Sequence, residues 1–87
     1  MFGNRKEKRS FVVMDGSNPR FMEEIIGIAE MMTDKMHWFN RIRPRKLDKN
    51  HPTMKVITIK CGYEDFDKLR LLLTEQYPEQ CIFDVVL

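Results

Sequence analysis

Apolar and polar positions follow one another along the chain in patterns that predict strands and helices in a definite order. Residues 10–14 form a short apolar run closed by an Asp-Gly turn, which is typical of a buried strand. A helix over about residues 19–36 then begins at Pro19, because proline suits the first turn and either Asn18 or Ser17 can cap it. One face of this helix predicts packing against a sheet and contains Met22, Ile25, Ile26, Ala29, Met32, Thr33 and Met36.

The second half of the chain predicts a hairpin, a helix and a last strand. Residues 37–47 alternate with a period of two, and Pro44 places this strand at a sheet edge because proline cannot donate to the strand ladder. Residues 48–52 have the composition of a turn. The remaining elements are the clearest strand of the chain at residues 54–61, a helix over about residues 64–77 that ends before Pro78, and a strand at residues 81–87.

This order of elements predicts an α+β fold, the ferredoxin-like βαββαβ sandwich, with a four-stranded antiparallel sheet and two helices on one face. The expected strand order is 4-1-3-2, with the first and third strands in the centre. An alternative omits the second strand and leaves βαβαβ with a long basic loop, which is less favourable because structureless loops of about 15 residues are uncommon in compact domains. We expect a single domain over residues 10–87, preceded by a flexible basic tail over residues 1–9.

Length and composition narrow the possible function classes. The chain has 87 residues, of which 43% are hydrophobic and 32% charged, as in a single globular domain with a modest core. It holds two cysteines, lacks an apolar run long enough for a membrane helix, and begins with a charged segment unlike a signal peptide. We therefore expect a cytoplasmic protein with reduced thiols. A core of this size leaves little room for a catalytic pocket, so we expect no enzymatic activity.

Residue types that carry catalysis or bind metals are few. His37 and His51 have no carboxylate or nucleophile at a recognisable spacing. Cys61 ends the third strand and Cys81 begins the fourth, and the first strand separates these two in the expected order, so no disulfide is expected. The sequence contains no CxxC or HxxxH spacing. We expect neither a metal nor another cofactor.

The net charge of +2 conceals alternating basic and acidic blocks. Counted along the sequence, residues 1–10 carry +3 and residues 41–60 carry +6, whereas residues 11–40 carry −3 and residues 61–87 carry −4. Local potential, and not the net value, determines the attraction for anions. The first basic block falls on the predicted tail and the second on the predicted hairpin.

The basic blocks predict a surface that binds polyanions. Arginines alternate along the second strand beside an aromatic residue, and guanidinium groups form paired bonds with phosphate while aromatic rings stack on bases. Our leading hypothesis is a regulatory or accessory protein that binds nucleic acid. Its candidate residues are Phe39, Arg41, Arg43, Arg45, Lys46, Lys49 and Lys55 in the hairpin, and Arg5, Lys6, Lys8 and Arg9 in the tail. Two other interpretations stay open: a solvated edge strand whose charge prevents aggregation, and an acidic protein partner.

The predicted order of elements resembles that of the RNA-recognition motif. That family stacks bases on aromatic residues of its sheet, whereas residues 55–60 of the third predicted strand contain no aromatic residue. The resemblance is therefore limited to topology. Because these aromatic residues are absent, we expect nucleic acid to contact the hairpin and the tail instead of the sheet face.

A second hypothesis comes from the sheet face opposite the helices. Alternation assigns apolar residues to this face, and exposed apolar patches are typical of partner or self-association surfaces. The protein would then be a protein–protein interaction module, either a homodimer or an inhibitor that docks an acidic or apolar surface. Ordinary exposure in a small monomer is the alternative. The candidate interface residues are Val12, Met14, Met54, Val56, Thr58, Ile82 and Val86, with Phe11 and Val13 as the other choice for the first strand.

Overall fold

A computed structural model describes residues 5–33 and 42–84 of the chain. Four antiparallel strands form one open sheet, and two helices accompany it, which confirms the predicted α+β class. In chain order the elements are β1 (Glu7–Val13), α1 (Pro19–Met32), β2 (Arg45–Asp48), β3 (His51–Cys61), α2 (Tyr63–Gln76) and β4 (Cys81–Ile82). No helix in these ranges is both long and apolar enough to cross a membrane.

The sheet is built around a long pairing between β1 and β3. Its strand order is β2-β3-β1-β4, so β1 and β3 are central and β2 and β4 are edges. The register of the central pair runs from Glu7 opposite Cys61 to Val13 opposite Lys55. At one edge β4 pairs with the end of β1, and at the other β2 pairs with β3 through an irregularity after Lys46.

The core lies between the sheet and the helices. Phe11 and Val13 of β1 are fully buried against β3, so the first strand directs these residues inward. The Phe11 ring stacks on Phe83 at 4.6 Å between ring centroids, and Phe66 of α2 meets Phe83 edge-on at 5.5 Å. The other buried residues of this core are Met22, Ile25, Ile26 and Ala29 of α1, Ile57, Ile59 and Cys61 of β3, Leu69 and Leu73 of α2, and Ile42 and Cys81.

Side-chain hydrogen bonds lie at both ends of α1 over its described range, Pro19–Met32. Asn18 caps α1 by accepting a hydrogen bond from the Phe21 backbone N–H at 3.3 Å. At the other end, the Thr33 hydroxyl donates to the Ala29 carbonyl at 2.6 Å. Glu30, buried inside this end of α1, accepts a hydrogen bond from the Ile42 backbone N–H at 3.1 Å. This contact joins the start of the hairpin to the helix.

Several strand limits differ from those predicted. β1 begins at Glu7, so residues 7–9 belong to the sheet and not to a flexible tail; their polar sequence gives no strand signal, and pairing with the long β3 holds them. β3 begins at His51, which shortens the predicted turn. β2 spans only Arg45–Asp48, so residues 42–44 are not strand as predicted, and Pro44, which cannot donate to the ladder, directly precedes the strand. β4 spans only Cys81–Ile82, so residues 83–84 of the predicted last strand also lie outside the sheet. The predicted helix end at residues 34–36, the first part of the predicted second strand at residues 37–41 and the chain end at residues 85–87 lie outside the described residues.

Candidate anion-binding face of the sheet

Antiparallel pairing assigns sheet residues to one of two faces, because directly opposite residues point to the same side. The buried Phe11 lies opposite Ile57, which identifies the face that meets the helices. Ser10 and Thr58 lie opposite each other on the other side, and their hydroxyl oxygens are 2.8 Å apart. We call this side the outer face; its residues are Lys8, Ser10 and Val12 of β1, Val56, Thr58 and Lys60 of β3, Arg45 of β2 and Ile82 of β4.

A shallow concavity of about 510 Å³ lies on the outer face where β1, β3 and β2 adjoin. The buried Val56 and the half-buried hydroxyl residues line it, and exposed cationic side chains stand around it. An anion entering this concavity meets positive charge and hydroxyl donors above an apolar floor. The lining residues are Lys8, Ser10, Arg45, Lys46, Leu47, Val56 and Thr58.

Like charges lie directly opposite each other in the sheet. Lys8 is opposite Lys60 on the outer face, and Lys46 is opposite Lys55 on the other. Such pairs destabilise a sheet. Within the described ranges, none of these four lysines and no atom of Arg45 forms an ion pair with a carboxylate. The outer face therefore carries positive charge that the described protein does not neutralise.

Of the basic residues predicted for the tail, only Lys8 joins this face. Arg9 points to the helix side, where its guanidinium donates to the Cys61 carbonyl at 3.2 Å and to the Arg5 carbonyl at 3.3 Å. The same guanidinium lies 5.5 Å from the centre of the Tyr63 ring. Arg9 is thus engaged in structural contacts. Arg5 lies 3.9 Å from a Glu7 carboxylate oxygen, and Lys6 is exposed ahead of β1.

The basic residues predicted for the hairpin also differ in exposure and in the face on which they lie. Arg43, Arg45, Lys46 and Lys49 are exposed, and Arg45 shares a face with Val56. The half-buried Lys55 lies with its stem against the backbone at Gly16, where a side chain would collide with it. The structure therefore brings Arg45 to the concavity and places Lys55 elsewhere. Lys46 lies opposite Lys55 in the register, but on the edge strand β2 it also lines the concavity. Phe39 and Arg41 lie outside the described residues.

The hairpin turn holds the nearby carboxylate in local contacts. Asp48 Oδ1 accepts a hydrogen bond from the Asn50 backbone N–H at 2.8 Å and lies 2.8 Å from His51 Nδ1. The hydrogen bond with His51 is the main reason that the pKa of Asp48 is lowered from its ordinary value. Asp48 is thereby held at the tip, and it pairs with neither Arg45 nor Lys46.

The predicted partner-interface residues offer less exposed apolar surface than alternation alone suggests. Val12 is only 2% exposed and Val56 9%, while Met14, Met54 and Thr58 are half-buried. Of this set, Ile82 is the described residue with substantial exposure, at 38%. Val86 lies outside the described residues. Much of what the outer face presents to solvent is therefore charged.

Lys60 and Ser10 are the residues that sequence reasoning does not connect with a site. Alternation assigns Lys60 to the outer face, but only the strand register reveals that it stands opposite Lys8. The thiols give no second site: Cys61 and Cys81 form no disulfide, and burial raises the pKa of Cys81 to about 11. In the part of the chain that the structure describes, no three His, Cys, Asp or Glu side chains cluster as metal ligands would.

Comparison with known proteins adds no match: no protein-family model fits the chain, and no curated protein or solved structure is significantly similar to it. The interpretation of function therefore depends on the geometry and charge of the outer face. Those two properties define a surface with unneutralised cations around an apolar floor.

Proposed function

We propose that this protein is a small non-enzymatic accessory module of ferredoxin-like fold that binds nucleic acid as a polyanion. Reading the sheet from its other edge gives β4-β1-β3-β2, which supports the fold assignment. The two buried thiols without a disulfide support a cytoplasmic location, since a reducing compartment preserves them.

The observation that carries this function is the unneutralised positive charge on the outer face. A like-charge pair directly across two central strands lowers stability, and here Lys8 and Lys60 form such a pair without an ion-pairing carboxylate in the described ranges. An anionic ligand removes this repulsion and gains charge-assisted hydrogen bonds. Nucleic acid supplies such anions in a regular series along its backbone.

The spacing of the cations fits a chain-like ligand. Arg45 lies beside Val56, four residues along β3 from Lys60, so the backbone positions that carry these two cations are roughly 13 Å apart along the strand direction. A single strand of nucleic acid crossing the concavity would contact both centres and lay its sugars and bases over the apolar floor. We therefore propose the sheet face together with the hairpin as the binding surface, a wider surface than the hairpin and tail that the sequence predicts.

Titration of a labelled single-stranded oligonucleotide of about 12 nucleotides, followed by fluorescence anisotropy, tests the function. Binding should be clear near 50 mM salt and fall steeply toward about 200 mM, as phosphate contacts require. The double variant Arg45→Gln/Lys46→Gln should lose about tenfold in affinity or more. Its slope of log K against log salt should decrease by about 1.4, since each lost phosphate contact on a single strand contributes about 0.7.

The matched control is Arg20→Gln/Lys68→Gln. It removes one exposed arginine and one exposed lysine from the two helices, so its net charge equals that of the test variant. This control should bind as the unmodified protein does. The proposal fails if no oligonucleotide binds at low salt, or if the two double variants lose the same affinity.

A second candidate is a homodimer formed through the outer face, which the exposed Ile82 favours. A two-fold axis through this face would bring Lys8, Lys60 and Arg45 close to their own copies, and buried like charges oppose such association. Sedimentation at low and high salt separates the candidates. A dimer that persists at low salt without nucleic acid supports the homodimer, and a monomer that assembles only on the oligonucleotide supports the leading function.

A further inference from the structure

We infer that four residues of the outer face form a phosphate subsite, in which Lys8 and Lys60 supply two ammonium groups and Ser10 and Thr58 supply a hydroxyl pair. This inference rests on the proposed function and specifies what the face recognises, namely the backbone phosphate and not the base. A phosphodiester of nucleic acid and inorganic phosphate would both satisfy these donors. The experiments measure the binding of each ligand separately.

The strand register brings the four side chains together. Lys8 stands opposite Lys60, and two residues further along each strand Ser10 stands opposite Thr58. Opposite side chains begin about 5 Å apart, and positions two residues apart on a strand are about 6.6 Å apart. The four residues therefore mark the corners of a small rectangle on one face, and flexible lysine stems can bring both ammonium groups over the hydroxyl pair.

The hydroxyl pair has a proton to donate. Ser10 Oγ and Thr58 Oγ1 are 2.8 Å apart, so one hydroxyl donates to the other and uses one of their two protons. The remaining proton is available to an oxygen bound above the pair. Both residues are half-buried, and a hydrogen bond to an anion is stronger there than in bulk water.

The donor set favours phosphate over carboxylate. The subsite offers two ammonium groups and one hydroxyl as separate donors. A phosphate group has several acceptor oxygens to satisfy them, whereas a carboxylate has two oxygens in one plane. Lysine binds phosphate as a point charge without needing a planar partner. An acidic peptide therefore satisfies this site less completely than a phosphate does.

The outer-face residues of the described strands also explain why binding would not depend on the identity of the base. None of them is aromatic, so they supply no platform on which a base could stack. The polar groups of the subsite are donors that suit phosphate oxygens. Binding should accordingly depend little on base identity, and oligothymidylate and oligoadenylate should bind with equal affinity within about twofold.

The test is a titration of the ¹⁵N-labelled protein with inorganic phosphate, followed by amide chemical shifts. We expect saturable shifts centred on residues 8, 10, 58 and 60, and at least tenfold weaker binding of acetate. Lys8→Gln/Lys60→Gln should weaken phosphate binding about tenfold or more, and Thr58→Val, which keeps the charge, about threefold. Arg20→Gln/Lys68→Gln is the charge-matched control and should change nothing.

Each failure has a distinct meaning. Phosphate shifts spread over all basic surfaces, or a Thr58→Val protein that binds as tightly as the unmodified one, would overturn the subsite even if the oligonucleotide still binds. Stronger binding of acetate would overturn it in favour of an acidic peptide. A saturable phosphate site at these four residues without oligonucleotide binding would uphold the subsite and reject the proposed function. The amide chemical-shift changes of the unmodified protein locate the phosphate site even if a variant does not fold.

Discussion

The Tyr77 hydroxyl donates a hydrogen bond to Glu24 Oε2 at 2.9 Å and thereby joins the end of α2 to α1 across 53 residues of sequence. The Tyr77 ring also meets Phe21 edge-on, with 5.1 Å between ring centroids. The two helices are thus fastened to each other on the side of the molecule away from the outer face. This fastening is independent of the binding surface, so it can be altered without changing the charges that face a ligand.

Tyr77→Phe should remove the hydrogen bond and keep the ring contact with Phe21. The hydrogen bond with Glu24, followed by burial, raises the pKa of Tyr77 from its ordinary value, because ionisation would remove the donor. The contribution to stability is therefore complete below the unfolded pKa of about 10 and is lost as pH rises through the raised folded value. Tyr77→Phe should therefore unfold at a lower temperature than the unmodified protein at pH 7. This difference in unfolding temperature should shrink above about pH 10. A difference that grows with pH contradicts this assignment.

Two leucines on α2 give a matched test of the core. Leu69 is fully buried and Leu71 is 55% exposed, although they lie on the same helix. Leu69→Ala should lower the free energy of unfolding by about 2–5 kcal/mol, since it leaves a cavity. Leu71→Ala should change it by less than about 0.5 kcal/mol. Urea unfolding measures both, and equal effects would mean that α2 packs with a different face.

Lys60→Gln should make the protein more stable while weakening anion binding. It removes the repulsion across the strands with Lys8, so the free energy of unfolding should rise by a few tenths of a kcal/mol. The gain should be larger in dilute buffer than near 1 M salt, where charges are screened over about 3 Å. Thermal unfolding at both salt concentrations checks this, with Lys68→Gln as the control. Loss of stability in dilute buffer would show that Lys60 has a stabilising partner.

Lys8 and Arg9 are neighbours of equal charge with opposite expected effects. Lys8→Gln should weaken oligonucleotide binding and raise the free energy of unfolding by a few tenths of a kcal/mol, because it removes the same repulsion with Lys60 that Lys60→Gln removes. Arg9→Gln should reduce stability by about 1 kcal/mol through loss of its bonds to the Cys61 and Arg5 carbonyls, with little effect on affinity. Anisotropy and urea unfolding on both variants provide the comparison. Equal loss of affinity would indicate general electrostatic attraction instead of a defined face.

The sequence predicts those features that depend on local pattern. Alternation correctly assigns Val56 and Thr58 to the sheet face away from the helices, and Pro19 marks the start of α1. It does not predict that β1 starts at Glu7, because a polar run acquires strand structure only through pairing with residues more than 50 positions away. Long-range register is a tertiary property that a local pattern does not contain.

In the candidate site, too, some features follow from the local sequence and others only from the strand register. Blocks of basic residues predict an anion-binding surface, but they do not distinguish Lys8 from Arg9. The period of two in a strand sends these side chains to opposite faces, and one of them is engaged in structural contacts. Lys60 enters the site only because the register places it opposite Lys8. Charge composition therefore predicts the class of ligand that we propose, and strand pairing selects the residues of the proposed site.

The reactivity of the buried Cys81 thiol depends on whether the edge strand β4 has detached from the sheet. Cys81 is 6% exposed and belongs to an edge strand joined to β1 through only two residue pairs. In the closed state a maleimide reagent meets neither an accessible sulfur nor an appreciable amount of thiolate, because burial raises the pKa to about 11. The rate at which Cys81 itself is alkylated at neutral pH, followed separately from the second buried thiol Cys61, therefore reports opening at β4. A ligand on the outer face that stabilises β1 would slow that rate in proportion to its occupancy.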